Sequence, residues 1–110
     1  MDGIERNVNL LDELKSLNVG WNGYRAEPIP VTLIEKAIEV VKNLIHQPKI
    51  FPTGRQTIQL EYEKENGDYL EFELFEEKVV VFNVLSEKET EKEYNYVEID
   101  WNALVGRFLS

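Results

Sequence analysis

Glutamate recurs at every second position in two neighbouring segments of this 110-residue sequence. Glu61 and Glu63 follow Gln59 in the first segment, and Glu71 and Glu73 lie in the second. Because alternate residues of a β-strand project to the same side, two such strands would collect these side chains on one face of a sheet. Clustered carboxylates can act as a general acid and base, bind a hard metal ion, or attract lysine and arginine side chains.

An open sheet face narrows these options. It has no desolvated pocket that would push two carboxylate pKa values apart, so we expect no catalytic residue and no metal site there. Charges on such a face most often keep it solvated and prevent sheets from stacking. The alternative hypothesis is that Glu61, Glu63, Glu71 and Glu73 form a docking surface for basic side chains of a partner protein. Both interpretations stay open at this point.

A second distinctive segment spans residues 20–30, which are rich in glycine and proline and include Trp21, Tyr24 and Arg25. Aromatic residues on loops are frequent anchors of protein interfaces, so these three residues are candidates for partner binding. A tryptophan between two amphipathic helices more often folds back and closes the end of the core, where it buries a large apolar area. We give the structural role more weight than the binding role.

The residues of this segment follow a recognisable pattern, carried by Gly20, Trp21, Gly23, Tyr24, Ala26 and Pro28. It resembles the Gly-Trp-Asp-Gly-Tyr-Gly-Ala-x-Pro segment of a family of small bacterial and phage-encoded proteins of unknown function. Asn22 stands where that family has aspartate, and Arg25 stands where it has glycine. The resemblance extends loosely through about two-thirds of the chain, and it implies a shared fold without a particular activity.

Residues suited to other chemistry are few. The single histidine, His46, lies near the end of a predicted helix, where we expect it to cap the helix rather than act as a base. The absence of cysteine excludes a disulfide, a thiolate metal site and a cysteine nucleophile. No glycine-rich loop precedes a helix in the pattern that holds phosphates. We therefore expect neither enzyme activity nor a cofactor.

Two helices are predicted in the first half of the chain. Apolar residues recur at spacings of three and four from Ile4 to Leu17, which indicates a first helix ending near residues 18–20. Thr32 and Glu35 have the spacing of a capping box at the start of a second helix. Pro48 is expected to end this helix. Its predicted inner face consists of Ile34, Ala37, Ile38, Val41, Leu44 and Ile45.

The period then changes to two, which predicts a β-hairpin around Asn66 and Gly67. A two-residue loop would set apolar residues of one strand opposite glutamates of the other. A three-residue loop of residues 65–67 keeps each face uniform, because directly opposite residues share a face. We therefore predict Gly67 in a left-handed conformation, Leu60 opposite Phe72 and Glu61 opposite Glu71.

The remaining elements complete an α+β fold. Residues 79–85 are almost continuously apolar, which favours a central strand or one buried on both faces. Residues 86–93 are predicted to be a charged connector, residues 94–99 a last strand, and Asp100 the cap of a short C-terminal helix. We predict two N-terminal helices, an antiparallel meander sheet of four to five strands with helices on one face, and a short C-terminal helix.

Composition and charge set the broad class. A length of 110 residues predicts a single domain, and 43% hydrophobic residues suffice for one core. The formal net charge of −9 would repel nucleic acid and anionic lipid and would attract a basic protein surface. The sequence begins without the pattern of a signal peptide and has no membrane-spanning run, so we expect a cytoplasmic protein.

Three functional hypotheses follow. The leading one is an acidic intracellular protein-binding module, of the kind represented by antitoxins, immunity proteins and phage anti-defence inhibitors, whose partner has a basic surface. One form of it would occupy a nucleic-acid-binding groove with carboxylates in place of phosphates. The second is a homo-oligomeric scaffold in which residues 79–85 or the final strand complete a sheet across a two-fold axis. The third is a small-molecule binder that uses the loop of Trp21 and Tyr24 as a lid.

Overall fold

The computed structural model describes residues 3–17, 20–21 and 27–110. These residues form helices, one short 3-10 turn and a single five-stranded sheet, confirming the predicted α+β class. The helices are α1 (Gly3–Glu13), the 3-10 turn Leu14–Ser16, α2 (Val31–Asn43) and α3 (Trp101–Leu109). The strands are β1 (Lys49–Pro52), β2 (Ile58–Glu63), β3 (Tyr69–Leu74), β4 (Val79–Leu85) and β5 (Lys88–Tyr94).

The sheet is an antiparallel meander with the strand order β1-β2-β3-β4-β5. In the β2–β3 hairpin, Leu60 lies opposite Phe72 and Glu61 lies opposite Glu71, as the parity of the sequence predicts. The three-residue loop is confirmed, since the backbone N–H of Lys64 donates to the carbonyl of Asp68 at 2.9 Å. Gly67 takes the left-handed conformation with φ 92°.

The second hairpin differs from the prediction. Residues 88–94 form the edge strand β5, so the prediction of a charged connector at 86–93 is wrong, and so is that of a strand at 94–99. Ser86 and Glu87 make a two-residue turn with φ 50° and 69°, and both are non-glycine residues in the left-handed region. An edge strand exposed to water needs no apolar residues, which is why a charged segment can serve as one.

Strand β4 is the fourth of five strands, and it pairs with β3 over residues 79–84 and with β5 along its whole length. The central position is confirmed, but burial on both faces is not, because Val80, Phe82 and Val84 remain partly exposed. Because both edges of β4 are already paired, it has none left to complete a sheet in a second copy. Of the two segments that the scaffold hypothesis offers for pairing with a second copy, only the last strand, here β5, has a free edge.

The start of α2 is built without the predicted capping box. The helix begins at Val31 with Pro30 as its N-cap, and no side chain caps it. Thr32 therefore lies inside the first turn, where its hydroxyl donates to the carboxylate of Glu76 at 2.8 Å.

The end of α2 also differs from the prediction. The helix stops at Asn43, so Ile45 falls off the inner face and its side chain is 76% exposed. The side-chain amide of Gln47, rather than His46, caps the last turn by donating to the carbonyls of Val41 and Leu44.

The core lies between the helices and one face of the sheet. Its largest fully buried side chains are Leu11, Leu33, Ile34, Val41, Leu44, Ile58, Leu60, Leu70, Phe72, Leu74, Val79 and Val105. On α3, Trp101 packs against Phe72 with ring centroids 5.0 Å apart and the ring planes tilted by 44°. Asp100 caps this helix by accepting the N–H of Ala103, as predicted. Within the described part of the chain, no helix is long and apolar enough to span a membrane.

Candidate functional site

The side of the sheet that faces away from the helices is called the outer face here. The strand pairing places fourteen side chains on it. They are Lys49, Phe51, Gln59, Glu61, Glu63, Tyr69, Glu71, Glu73, Val80, Phe82, Val84, Glu89, Glu91 and Glu93. Lys49 is the one cation that the strands themselves contribute to this set.

The centre of the outer face is apolar. Val80, Phe82 and Val84 project from β4 and are only half-buried, and Tyr69 of β3 packs edge-on against Phe82 with centroids 6.3 Å apart. We call these four side chains the apolar strip. The sequence alone does not reveal the apolar strip, because a continuous run of apolar residues looks the same whether the second face of its strand is buried or open.

Carboxylates flank the apolar strip on both sides. Phe82 lies between Glu71 of β3 and Glu91 of β5 in the strand register. In the same way, Val80 lies between Glu73 and Glu93. An apolar centre within a charged border is the usual anatomy of a protein-binding patch.

The β5 side of this border was not predicted from the sequence. Glu89, Glu91 and Glu93 are all exposed, and together they are called the β5 column. Glu93 pairs with Lys78 at 3.0 Å, an exposed ion pair that contributes little to stability. The alternation of glutamate with lysine and threonine in residues 88–93 is the signal that could have revealed this strand.

On the β3 side, Glu61 and Glu71 lie directly opposite each other, as predicted. The hydroxyl of Tyr69 donates to the Glu71 carboxylate at 2.8 Å. Partial burial raises the pKa of Glu71 above its ordinary value, and repulsion from Glu61 and Glu73 adds to this, while the Tyr69 hydrogen bond opposes it. Ionised Glu71 therefore destabilises the folded chain, and a cation from outside would relieve that repulsion.

Glu73 does not project into solvent, and for this residue the expectation of an open carboxylate is wrong. Its side chain is 10% exposed and accepts two hydrogen bonds of 2.8 Å from the guanidinium of Arg55. The hydroxyl of Thr57 donates a third at 2.6 Å. Burial favours the neutral acid, but these bonds outweigh it and hold the pKa of Glu73 below its ordinary value. Glu73 is thus a structural anchor of the outer face.

The last predicted carboxylate, Glu63, is exposed at the end of β2, where it pairs in register with Tyr69. It borders a small cleft together with Lys49 and Phe51. Of the four predicted carboxylates, Glu61, Glu63 and Glu71 thus remain open to a partner to differing degrees.

The aromatic segment is only partly described. Trp21 packs half-buried against the core, and its indole N–H donates to the carbonyl of Glu27 at 3.1 Å. These contacts favour the structural role predicted for Trp21. Tyr24 and Arg25 lie outside the described residues.

A separate open groove of about 950 Å³ runs between α2 and residues 96–102. Tyr96 and Trp101 supply its aromatic wall, and Glu35 and Glu98 line it as well. Lys36 already lies over the ring of Tyr96, 4.9 Å from the centroid, and donates to the carbonyl of Glu76.

Within the described ranges, no three histidine, aspartate or glutamate side chains are grouped so that they could hold a metal ion. Comparison with known proteins adds no further assignment. No protein-family model matches the sequence, and no curated protein and no solved structure matches it significantly.

Proposed function

We propose that this chain is a small protein-binding module that docks a partner on its outer face. The observation that supports this is the half-exposed apolar strip between two borders of carboxylates. The partner surface that fits it has an apolar centre and a surround of lysine and arginine.

The size of the face indicates what kind of binding to expect. The five strands have four to seven residues each, and with roughly 4.8 Å between strands and roughly 3.3 Å per residue they cover about 500 Å². A standard interface contributes roughly 800 Å² per partner, so a complex confined to this face is small and transient. In such a complex the apolar strip supplies the contact area, and the carboxylates supply the association rate and the choice of partner.

The folding energetics of the face agree with a docking role. Glu61 opposite Glu71 is a like-charge pair, which costs the sheet roughly 0.2–1 kcal/mol. A guanidinium or ammonium group placed between these carboxylates by a partner would neutralise the repulsion. Ionised Glu71 would then lower the stability of the fold and at the same time strengthen partner binding.

The net charge narrows the class of partner further. A chain with a formal charge of −9 repels the phosphates of nucleic acid and attracts proteins whose normal ligands are such phosphates. We propose that the module acts in the cytoplasm as an inhibitor of a nucleic-acid-binding protein, in the manner of an antitoxin, an immunity protein or a phage anti-defence protein.

The test is capture of partners from lysate of the native host with the tagged chain, at low and moderate salt, followed by mass spectrometry. Three proteins are compared: the wild type, the double variant Glu61→Gln/Glu71→Gln, and the control Glu35→Gln/Glu39→Gln, which removes two charges from the exposed side of α2. We expect one stoichiometric partner, lost as salt rises, retained by the control and depleted several-fold by the outer-face variant.

A second variant, Phe82→Asn, tests the apolar strip without changing charge. It should weaken capture at every salt concentration, because the strip contributes apolar area rather than electrostatic attraction. Equal recovery of the partner by wild type and by both outer-face variants would rule out docking on this face. Nucleic acid that competes for the captured partner would support the inhibitor role, and simultaneous binding of both would exclude it.

A further inference from the structure

We infer that the partner adds a β-strand to the free edge of β5, with basic side chains at every second position over the β5 column. This inference rests on the proposed function and adds a second contact to it: the partner that docks on the outer face would also pair its backbone with the edge of β5. The expected partner segment is extended and alternates basic residues with acidic or polar ones.

The first support is the open edge itself. Strand β5 has seven residues, Lys88–Tyr94, and all but Tyr94 are exposed. It lies at one end of the strand order, so within the described residues one side of its backbone is not paired in the sheet. The opposite edge, β1, has four residues and ends at Pro52, which has no N–H to donate. Strand β5 is thus the longer and less interrupted of the two edges.

The hairpin geometry identifies which backbone groups are open. A two-residue loop closes on a hydrogen-bonded pair, here Leu85 with Lys88. Hydrogen-bonded and non-hydrogen-bonded pairs alternate along an antiparallel ladder. The N–H and C=O groups of Glu89, Glu91 and Glu93 therefore point away from β4, towards the position of an added strand.

The second support is how this edge is protected. Proteins blunt exposed edges with short strands, prolines, bulges or charges. Strand β5 contains no proline, and its seven residues pair with β4 one to one without a bulge. Charge is the remaining device, and charge excludes strands of the same sign while it admits strands of the opposite sign.

The third support is the charge pattern. Directly opposite residues share a face, so an added strand must present basic residues to Glu89, Glu91 and Glu93. On the other face, Lys88 and Lys92 favour acidic or polar residues. Three favourable cross-strand pairs correspond to an affinity gain of about 3- to 150-fold over an uncharged strand.

The same pattern disfavours a second copy of this chain as the occupant. Two copies joined antiparallel through β5, with their helices on the same side of one continuous sheet, would set glutamate opposite glutamate at each outer position. A heterologous basic strand meets no such repulsion.

The experiment uses the full chain and a capped synthetic peptide, Lys-Glu-Lys-Thr-Lys-Glu-Lys. Amide hydrogen exchange measured by NMR reports each backbone N–H separately. At nine-tenths saturation, the amides of Glu89, Glu91 and Glu93 should exchange about tenfold more slowly, because exchange then proceeds from the free tenth of the protein. The amides of Thr90 and Lys92, already bonded to β4, should change far less.

Two modified peptides separate backbone pairing from charge. In an antiparallel addition with lysines opposite the glutamates, the lysine amides face β5, so their methylation should abolish the protection. Methylation of the intervening amides should leave it intact. Both peptides carry the same charges, so equal binding of the two would overturn the inference.

Two variants of the chain give the matching comparison. Glu91→Pro removes the central open N–H, a substitution that edge strands tolerate when the lost donor faces solvent. Glu91→Gln keeps this N–H and removes one charge. We expect loss of peptide binding in the first and a reduction of roughly twofold to fivefold in the second. If Glu91→Pro does not fold, the methylated peptides still decide the question on the wild type.

Other outcomes are also informative. A peptide that binds without protecting these amides lies across the outer face, which overturns strand addition and leaves the proposed function standing. Protection that rises with protein concentration in the absence of peptide would assign the edge to a second copy and overturn the inference. Absence of peptide binding would overturn it too, whereas the proposed function is judged separately by the capture of partners with the Glu61, Glu71 and Phe82 variants.

Discussion

The contact between Arg55 and Glu73 makes a sharp prediction about stability. The two partners differ greatly in environment, since the Glu73 side chain is 10% exposed and that of Arg55 is 62% exposed. The substitution Arg55→Met removes an exposed cation and leaves a buried carboxylate with the hydroxyl of Thr57 as a remaining partner. Its effect should therefore exceed that of breaking an ordinary surface ion pair.

The magnitude follows from this asymmetry. Loss of an exposed ion pair costs roughly 0–1 kcal/mol, and removal of one partner from a buried pair costs roughly 3–5 kcal/mol. A bidentate contact with one buried and one exposed partner lies between these limits. We expect Arg55→Met to lower the free energy of unfolding by about 1–3 kcal/mol at pH 7.

The pH dependence gives a second, independent signature. In the wild type the pKa of Glu73 is held below its ordinary value of 4.5, so its stabilisation is present above that pH and is lost as pH falls through the lowered pKa. Without Arg55, burial becomes the prevailing influence, and the pKa of Glu73 should rise above 4.5. The variant then gains stability as pH falls through this raised pKa, and the difference from wild type narrows.

Urea denaturation followed by tryptophan fluorescence at pH 7 and pH 4 measures both effects. The double variant Arg55→Met/Glu73→Gln is the control, because it removes the buried charge and should recover much of the stability that Arg55→Met loses at pH 7. A loss smaller than about 0.5 kcal/mol at pH 7, or the same loss at both pH values, would refute the assignment of Glu73 as a buried, Arg55-stabilised carboxylate.

Two further predictions concern other elements. Because the pKa of Glu71 is raised, its ionised form destabilises the fold, and Glu71→Gln should increase the free energy of unfolding at pH 7 by roughly 0.2–1 kcal/mol. This gain should disappear at pH values well below 4.5, where the carboxyl is neutral in both states, and denaturation curves across that range test it. The two predicted helix caps should also differ: Asp100→Ala should cost about 1 kcal/mol, whereas Thr32→Ala, which removes an exposed hydrogen bond to Glu76, should cost less than about 0.5 kcal/mol. Thermal unfolding of the two variants side by side decides this, and equal losses would contradict the assigned helix starts.

The β2–β3 hairpin shows what a sequence can determine alone. Apolar residues alternate with polar or charged ones over residues 58–63 and 70–74, so a register error of one residue would expose one apolar face entirely. Only the three-residue loop keeps Leu60 opposite Phe72, and Gly67 supplies the left-handed residue that this loop needs. Local pattern, turn chemistry and burial all favour the same register, which is why this prediction is confirmed in detail.

The helix boundaries show where local signals compete. Thr32 and Glu35 have the spacing of a capping box, but the helix begins at Val31 with Pro30 as its N-cap, two residues before the predicted N-cap. A capping pattern states only that a helix start is nearby, because several adjacent residues can each supply the first turn. The early stop at Asn43 likewise depends on Gln47, whose side-chain amide donates a hydrogen bond to the carbonyl of Val41. That contact brings together residues six positions apart and is invisible to helical periodicity.

Strand β5 and the apolar strip depended on the tertiary structure. A segment of lysine, glutamate and threonine has weak strand propensity, and it is a strand here because β4 offers seven paired positions beside it. The exposure of Val80, Phe82 and Val84 depends on where the helices lie, and the helices cover the other face. The exposure of the apolar strip therefore cannot be read from its own residues, and the alternation in residues 88–93 is only a weak local signal for β5.

The sequence by itself determined the α+β class, the central hairpin, the C-terminal helix cap and the negative charge of the chain, because each of these depends on residues close together in the sequence or on composition. Only the tertiary structure decided which carboxylates are open. Glu71 and Glu73 stand two positions apart on the same strand face, yet their pKa values shift in opposite directions. The physical reason is that Arg55, eighteen positions before Glu73 in the chain, lies beside one carboxylate and not the other, and charge interactions depend on distance in space.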